Sequence, residues 1–284
     1  MVKHISKYLE NRPQLQETLK SGYDFISNEL GGYHPGELMT ICGVENSGKT
    51  AFIVSEIDRL AIGQHVPTLI AVGLMDMKSF VASMIAYHYD IETNDLWRLW
   101  DNPRYQDEIS EYESLLREAP LYIVEENFED ENWVKEMKDF IIDNGIKIAF
   151  FDEYESFTLR DTSLELKQLA MQSNIPIIKT ELVWRDRDGG DHPISLADIN
   201  VKEHHVISSM SDTVIAFIDY EFIKIYQDER GVSLRGVLGV EILKKKGVIE
   251  KQSYRLLKNR LYFRTRYSDS KYDVPESRPV AKHM

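Results

Sequence analysis

Eight consecutive residues, Gly43-Val44-Glu45-Asn46-Ser47-Gly48-Lys49-Thr50, match the pattern G-x-x-x-x-G-K-[ST] in full. The glycines let the backbone bend until its N–H groups face a phosphate. A helix that follows adds the positive end of its dipole. In such a loop Gly43, Asn46, Ser47 and Gly48 shape the cradle. Lys49 reaches the β- and γ-phosphates, and the Thr50 hydroxyl ligates Mg²⁺. The implied cofactors are ATP and Mg²⁺. A second group of chemical interest is Phe150-Phe151-Asp152-Glu153, at the end of an apolar run. An acid there holds the Mg²⁺ shell opposite Thr50, which makes Asp152 the second metal-site residue. Glu153 has two readings. It polarises the attacking water, or it is a surface acid, because adjacent strand residues point to opposite faces.

These residues need a strand before the loop and a helix after it, and the flanking sequence supplies both. Leu38–Cys42 reads as a buried strand, and Lys49–Ile62 has a helical period that ends at Gly63. Further apolar strands are expected at 67–72, 121–124, 146–151, 175–178 and 214–218. Helices are expected at 79–89, 94–118, 132–143 and 163–172. From Val237 to Arg266 the period is closer to two, as in antiparallel hairpins. Continuous apolar strands that alternate with helices imply an α/β fold. Its mostly parallel sheet is covered on both faces and carries a C-terminal antiparallel β extension. We expect an N-terminal arm over 1–20, one domain over 21–266 and a polar, disordered tail over 267–284.

The composition is that of an ordinary globular chain, with 43% hydrophobic and 29% charged residues. No apolar run approaches the ~18 residues of a membrane span. No apolar signal core follows Met1-Val2-Lys3-His4. A single cysteine, Cys42, excludes a disulfide framework. The expected compartment is the cytoplasm. The net charge of −13 argues against a nucleic-acid coat protein. It is unevenly spread. Between Lys244 and Arg266 nine bases face one acid, Glu250, a local +8 that leaves −21 for the rest. This segment is either the solvated face of a sheet or a seat for an anionic partner.

The chain resembles the C-terminal ATPase domain of DnaB-type replicative helicases. The resemblance rests on Ser21-Gly22-Tyr23-Asp24-Phe25-Ile26, Gly31-Gly32-Tyr33-His34-Pro35-Gly36-Glu37-Leu38 and the phosphate loop. It continues through Pro120-Leu121-Tyr122-Ile123, Leu166-Lys167-Gln168-Leu169-Ala170, Asn174–Ile178, Ser211–Phe217 and Lys244-Lys245-Lys246-Gly247. It covers about residues 20–266. It implies a RecA-like core that assembles as a homo-oligomeric ring, usually a hexamer. ATP then binds between subunits, and single-stranded DNA lies in the central channel. Residues 1–20 correspond to the family's linker helix, and other replication proteins are possible partners.

The sequence departs from the family at the chemistry. Met75 stands where the family has its catalytic Glu, and a thioether cannot serve as a base. Asp76 is one residue away. Glu181 stands at the polar sensor position, and Lys246 at the arginine-finger position. Lys246 can neutralise charge but lacks the guanidinium fork. Lys244 and Lys246 are expected to project across a subunit interface toward a neighbour's γ-phosphate. Water activation then falls to Asp76, Glu153 or Glu181, or turnover is slow or lost. Trp184, Arg185 and Arg187 lie in a polar loop that either contacts DNA, with Trp184 stacking a base, or is a surface loop. Three functions stay open: a DNA translocase or helicase, a nucleotide-controlled scaffold of the same fold, and a recombinase- or clock-type relative.

Overall fold

In the computed structural model the chain is described over residues 17–73, 75–91, 96–124, 132–153, 162–183, 207–261 and 264–268. Among these residues nine strands form one sheet: β1 (Leu38–Gly43), β2 (Thr68–Val72), β3 (Leu121–Val124), β4 (Ile148–Asp152), β5 (Ile177–Leu182), β6 (Thr213–Asp219), β7 (Val237–Lys245), β8 (Val248–Leu261) and β9 (Arg264–Ser268). Their order is β3-β2-β4-β5-β1-β6-β7-β8-β9. The first six are mutually parallel, and β7, β8 and β9 continue the sheet antiparallel.

The helices are α1 (Lys49–Ile57), α2 (Met77–His88), α3 (Gln106–Glu118), α4 (Trp133–Asp143), α5 (Ser163–Ser173) and the short α6 (Ile207–Met210). Apolar residues cover both faces of the parallel strands. On β4, Phe150 enters the larger core with Phe52, Phe80 and Tyr112, while its neighbour Phe151 enters the second core with Leu166, Leu169 and Trp133. Ile178 and Ile177 divide in the same way. Period-two alternation with both faces buried is why these strands read as continuous apolar runs.

Two helices differ from the sequence expectation. The helix that starts at Lys49 is α-helical to Ile57 and then widens into a π-helical turn, Asp58–Gly63. At the junction Asp58 accepts from the Tyr112 hydroxyl at 3.0 Å, and the His88 ring lies 2.8 Å away. The helix expected over 94–118 is broken. A 3₁₀ stretch, Leu96–Asp101, gives way at Asn102-Pro103 before α3 begins. Proline disfavours a helical conformation in the residue before it, and the Asn102 side chain caps the new start by accepting from Arg104 N–H at 3.1 Å.

The register places the chemistry. Gly43 pairs with Leu182 and with Phe217, and Val72 pairs with Asp152. The carboxyl ends of β1, β2, β4, β5 and β6 therefore share one edge of the sheet. Strand β7 runs the other way, and Lys244 pairs with Val214 at the start of β6. The turn Lys246-Gly247 therefore lies at the opposite edge, beside the start of β1. Both residues of that turn have positive φ (48° and 82°), as a two-residue hairpin with right-handed twist requires.

Candidate nucleotide site

The segment between β1 and α1 is built around two tight approaches. A Cβ on Gly43 would run into Ser47 Oγ. Gly48, the residue before α1, has φ 88°, a left-handed value that favours glycine. Asn46 also has positive φ, 59°. Ser47 is buried, and its N–H donates to the Val44 carbonyl at 3.2 Å. Lys49 opens α1 and is only 2% exposed. Its ammonium donates to Gly43 O at 3.1 Å and Val44 O at 3.0 Å, and pairs with Glu153 Oε1 at 2.9 Å. The lysine is thus held at the loop by three acceptors.

Asp152 ends β4 and is buried. Its Oδ1 accepts from the Thr180 hydroxyl at 2.7 Å, and its main-chain carbonyl accepts from Gly73 N–H at 2.9 Å. Burial pushes the Asp152 carboxyl above the usual Asp range. The Thr180 and Thr50 hydroxyls and the Lys49 charge pull it back, and the Glu153 charge adds to the rise. Thr50 and Asp152 therefore stand side by side as hard oxygen donors. Among the described residues no group of three or more His, Cys, Asp or Glu could form a closed metal cage. Mg²⁺ does not need one, because it keeps several waters and takes one or two protein oxygens plus phosphate. The donor set fits Mg²⁺ carried by a nucleotide.

Glu153 does not follow strand alternation. Its φ is 48°, so the backbone leaves the strand there and its carboxylate swings onto Lys49. The other acids expected at the chemistry are engaged elsewhere. Asp76 is the N-cap of α2, and its carboxylate accepts from Ser79 N–H at 2.9 Å and from the Ser79 hydroxyl at 2.6 Å. Those bonds hold its pKa below the usual Asp value. Asp76→Ala should lower stability by about 1 kcal/mol at neutral pH, measured by denaturant unfolding. A depressed folded pKa makes this stabilisation present above the unfolded pKa. The difference from wild type should shrink as pH falls through the folded value. A constant difference down to that pH would refute the charged cap.

Met75 is partly buried and packs against the larger core. Glu181 shares a face of β5 with Lys179, whose ammonium lies 3.4 Å from Glu181 Oε2 and 2.5 Å from Ser163 Oγ. Lys179 is buried, and charge inside a central strand was not expected. Thr180, between them, faces Asp152, and sequence reading missed it too. The available signal was a hydroxyl wedged between two charged residues just past an apolar run.

At the opposite edge, Lys244 does not project outward as expected. It is buried, and its ammonium donates to the Ser211 carbonyl at 2.6 Å; burial lowers its pKa. Its neighbour Asp212 accepts from Leu38 N–H at 2.7 Å and pairs with Lys167 at 2.6 Å. Lys246 is exposed, close enough to Glu37 for its charge to counter part of the rise that burial causes there. Trp184, Arg185 and Arg187 lie outside the described residues.

No curated protein matches the chain. Many solved structures share its fold, among them two that are each at 14% identity and TM-score 0.72 over 92% of this chain. One is described as "The Structure Of A DnaB-Like Replicative Helicase And Its Interactions With Primase", of which this chain covers 64%. The other is described as an ATPase domain, and this chain covers 95% of it. The family model for the DnaB-like helicase C terminal domain matches residues 18–252, a span that includes the phosphate loop, Asp152 and the hairpin of Lys246. With that match over most of its length, on a fold that sets a phosphate loop beside a buried acid, the chain belongs to the DnaB-like helicase C-terminal domain family.

Proposed function

We propose that this protein binds Mg²⁺–ATP at Lys49, Thr50 and Asp152 and hydrolyses it as a ring-forming motor on single-stranded DNA. The observation that carries the reading is the convergence of a buried lysine, two hard oxygen donors and a partly exposed carboxylate at one edge of a parallel sheet. Ligands of open α/β sheets sit outside the carboxyl ends of the strands, where these groups lie. Magnesium supplies charge neutralisation at the phosphates. Lys49 orients them, and Glu153 holds the attacking water and accepts its proton. Lys246 acts in trans. It lies at the sheet edge opposite its own phosphate loop, so it can serve only a nucleotide held by another copy. Trp184, Arg185 and Arg187 are the proposed DNA contacts.

A second reading, a scaffold in which nucleotide controls assembly without turnover, is favoured by Met75. Subunit mixing tests the ring. Lys49→Ala and Lys246→Ala proteins are each expected to be nearly inactive. Mixed, they should regain up to about a quarter of wild-type ATPase activity, because random neighbours restore some complete interfaces. DNA-stimulated phosphate release in the mixture would support the motor. A mixture no more active than its parents would sink the trans role. Absence of turnover in the wild type, with nucleotide-dependent oligomers, would favour the scaffold.

A further inference from the structure

Asp152 and Glu153 are consecutive, and in an extended strand their side chains leave on opposite faces. Both nevertheless serve the phosphate loop. The Thr50 hydroxyl stabilises the ionised Asp152 carboxyl, and Glu153 Oε1 lies 2.9 Å from Lys49 Nζ. This is possible because Glu153 adopts φ 48°. A side chain with a Cβ rarely occupies that region, and it persists only where its surroundings over-determine it.

The determining atom is a single hydroxyl. Thr180 Oγ1 accepts from Glu153 N–H at 2.8 Å and donates its own hydrogen to Asp152 Oδ1 at 2.7 Å. A hydroxyl has one hydrogen to give and two lone pairs to receive, so one donated and one accepted bond suit it. Thr180 is buried, and it lies on β5, where it pairs with Ile41 of β1. Strand β5 is held between β4 and β1, so the hydroxyl has a fixed place from which to act. Its acceptor side secures the turn that redirects Glu153. Its donor side fixes the rotamer of Asp152 and leaves that carboxylate's remaining lone pairs for Thr50 and a metal.

We propose that Thr180 is the positioning residue of this site, the group that aims two adjacent acids at one bound nucleotide. Thr180 acts through the two acids it bonds, Asp152 and Glu153. The catalytic consequence rests on the nucleotide reading above, whereas the geometric one does not.

The test compares Thr180→Val, Thr180→Cys and Thr180→Ser. Valine keeps the shape and removes both hydrogen bonds, cysteine weakens them and serine keeps them. Two measurements are made on each protein: the nucleotide-free crystal structure, and ATP turnover as a function of Mg²⁺. Thr180→Val should return Glu153 to extended backbone and separate it from Lys49. It should raise the Mg²⁺ needed for half-maximal turnover about tenfold and lower kcat about 100-fold, as losing the Glu153 base would, with KM for ATP within about threefold of wild type. Thr180→Ser should restore both, and Thr180→Cys should fall between. If the valine protein does not fold, the serine–cysteine comparison carries the same prediction.

The proposal is overturned if Glu153 keeps its φ and its ion pair in the valine or cysteine protein. It is also overturned if serine is as impaired as valine. If wild type turns over no ATP, the crystal structures alone decide the positioning role, and the nucleotide reading fails separately.

Discussion

Lys49→Ala lowers ATP turnover at least about 100-fold and weakens nucleotide binding by a comparable factor. The expectation follows from what the ammonium touches. It is 2% exposed and gives its three hydrogens to Gly43 O, Val44 O and Glu153 Oε1. It is already at the phosphate cradle, so an arriving triphosphate meets a cation that needs little rearrangement. Alanine removes that attraction and also uncovers the Glu153 carboxylate, which then repels the phosphates. Two unit charges ~4 Å apart interact by about 4 kcal/mol at the effective dielectric of a protein surface, so each effect alone is substantial. The fold should tolerate the change. Glu153 keeps 16% exposure and can rotate toward water, which avoids the penalty of about 3–5 kcal/mol for a stranded, fully buried charge. The measurements are anisotropy of labelled ATP and phosphate release, with thermal unfolding as the control. A folded Lys49→Ala protein that binds nucleotide within about threefold of wild type would eliminate the phosphate role.

The same neighbourhood shows what the sequence could and could not disclose. The turn between β1 and α1 was legible because its pattern is contiguous: eight residues carry the glycines, the lysine and the hydroxyl. The parallel sheet was legible because strands covered on both faces are apolar at every position, as Phe150 and Phe151 are. The end of β5 was not. Lys179, Thr180 and Glu181 break the apolar run, so the strand seemed to stop at Ile178, yet it continues to Leu182. Lys179 and Thr180 are buried with partners, Ser163 for Lys179 and Asp152 for Thr180, and those partners are distant in sequence.

Alternation along a strand gave the wrong direction for Glu153, because a left-handed residue stabilised from another strand is not a local property. Lys244 failed for a related reason. Lys244 and Lys246 were expected to project together across a subunit interface, but the first lies where the sheet still has a buried face, with the Ser211 carbonyl in reach. Pro103, in contrast, signals its helix break locally, a signal that the expectation of one helix over 94–118 overlooked.

Glu153→Gln should move two observables in opposite directions. The amide keeps the size of the side chain and removes its charge, so it can neither take a proton from water nor hold Lys49 by an ion pair. Turnover should fall at least about 100-fold, the lower end of the ~10²- to 10⁴-fold range associated with losing a general base. Nucleotide affinity should rise about threefold to fivefold, because a partly exposed ion pair of up to about 1 kcal/mol no longer competes with phosphate for Lys49. The acidic limb of Mg²⁺-dependent binding should also move to lower pH. The Glu153 charge helps raise the Asp152 carboxyl, and without it Asp152 stays ionised further into acid.

The competing acids predict otherwise. Asp76 is bound to Ser79 as a helix cap, and Glu181 turns with Lys179 to the face of β5 opposite Thr180. If either were the base, Glu153→Gln would keep turnover within about threefold of wild type while still binding nucleotide more tightly. If the protein is a scaffold, affinity rises in the variant and there is no turnover to lose. Binding therefore reports the ion pair and turnover reports the base. The two together separate a motor whose catalytic carboxylate has moved from the end of β2 to the end of β4 from a relative that keeps the loop and has lost the chemistry.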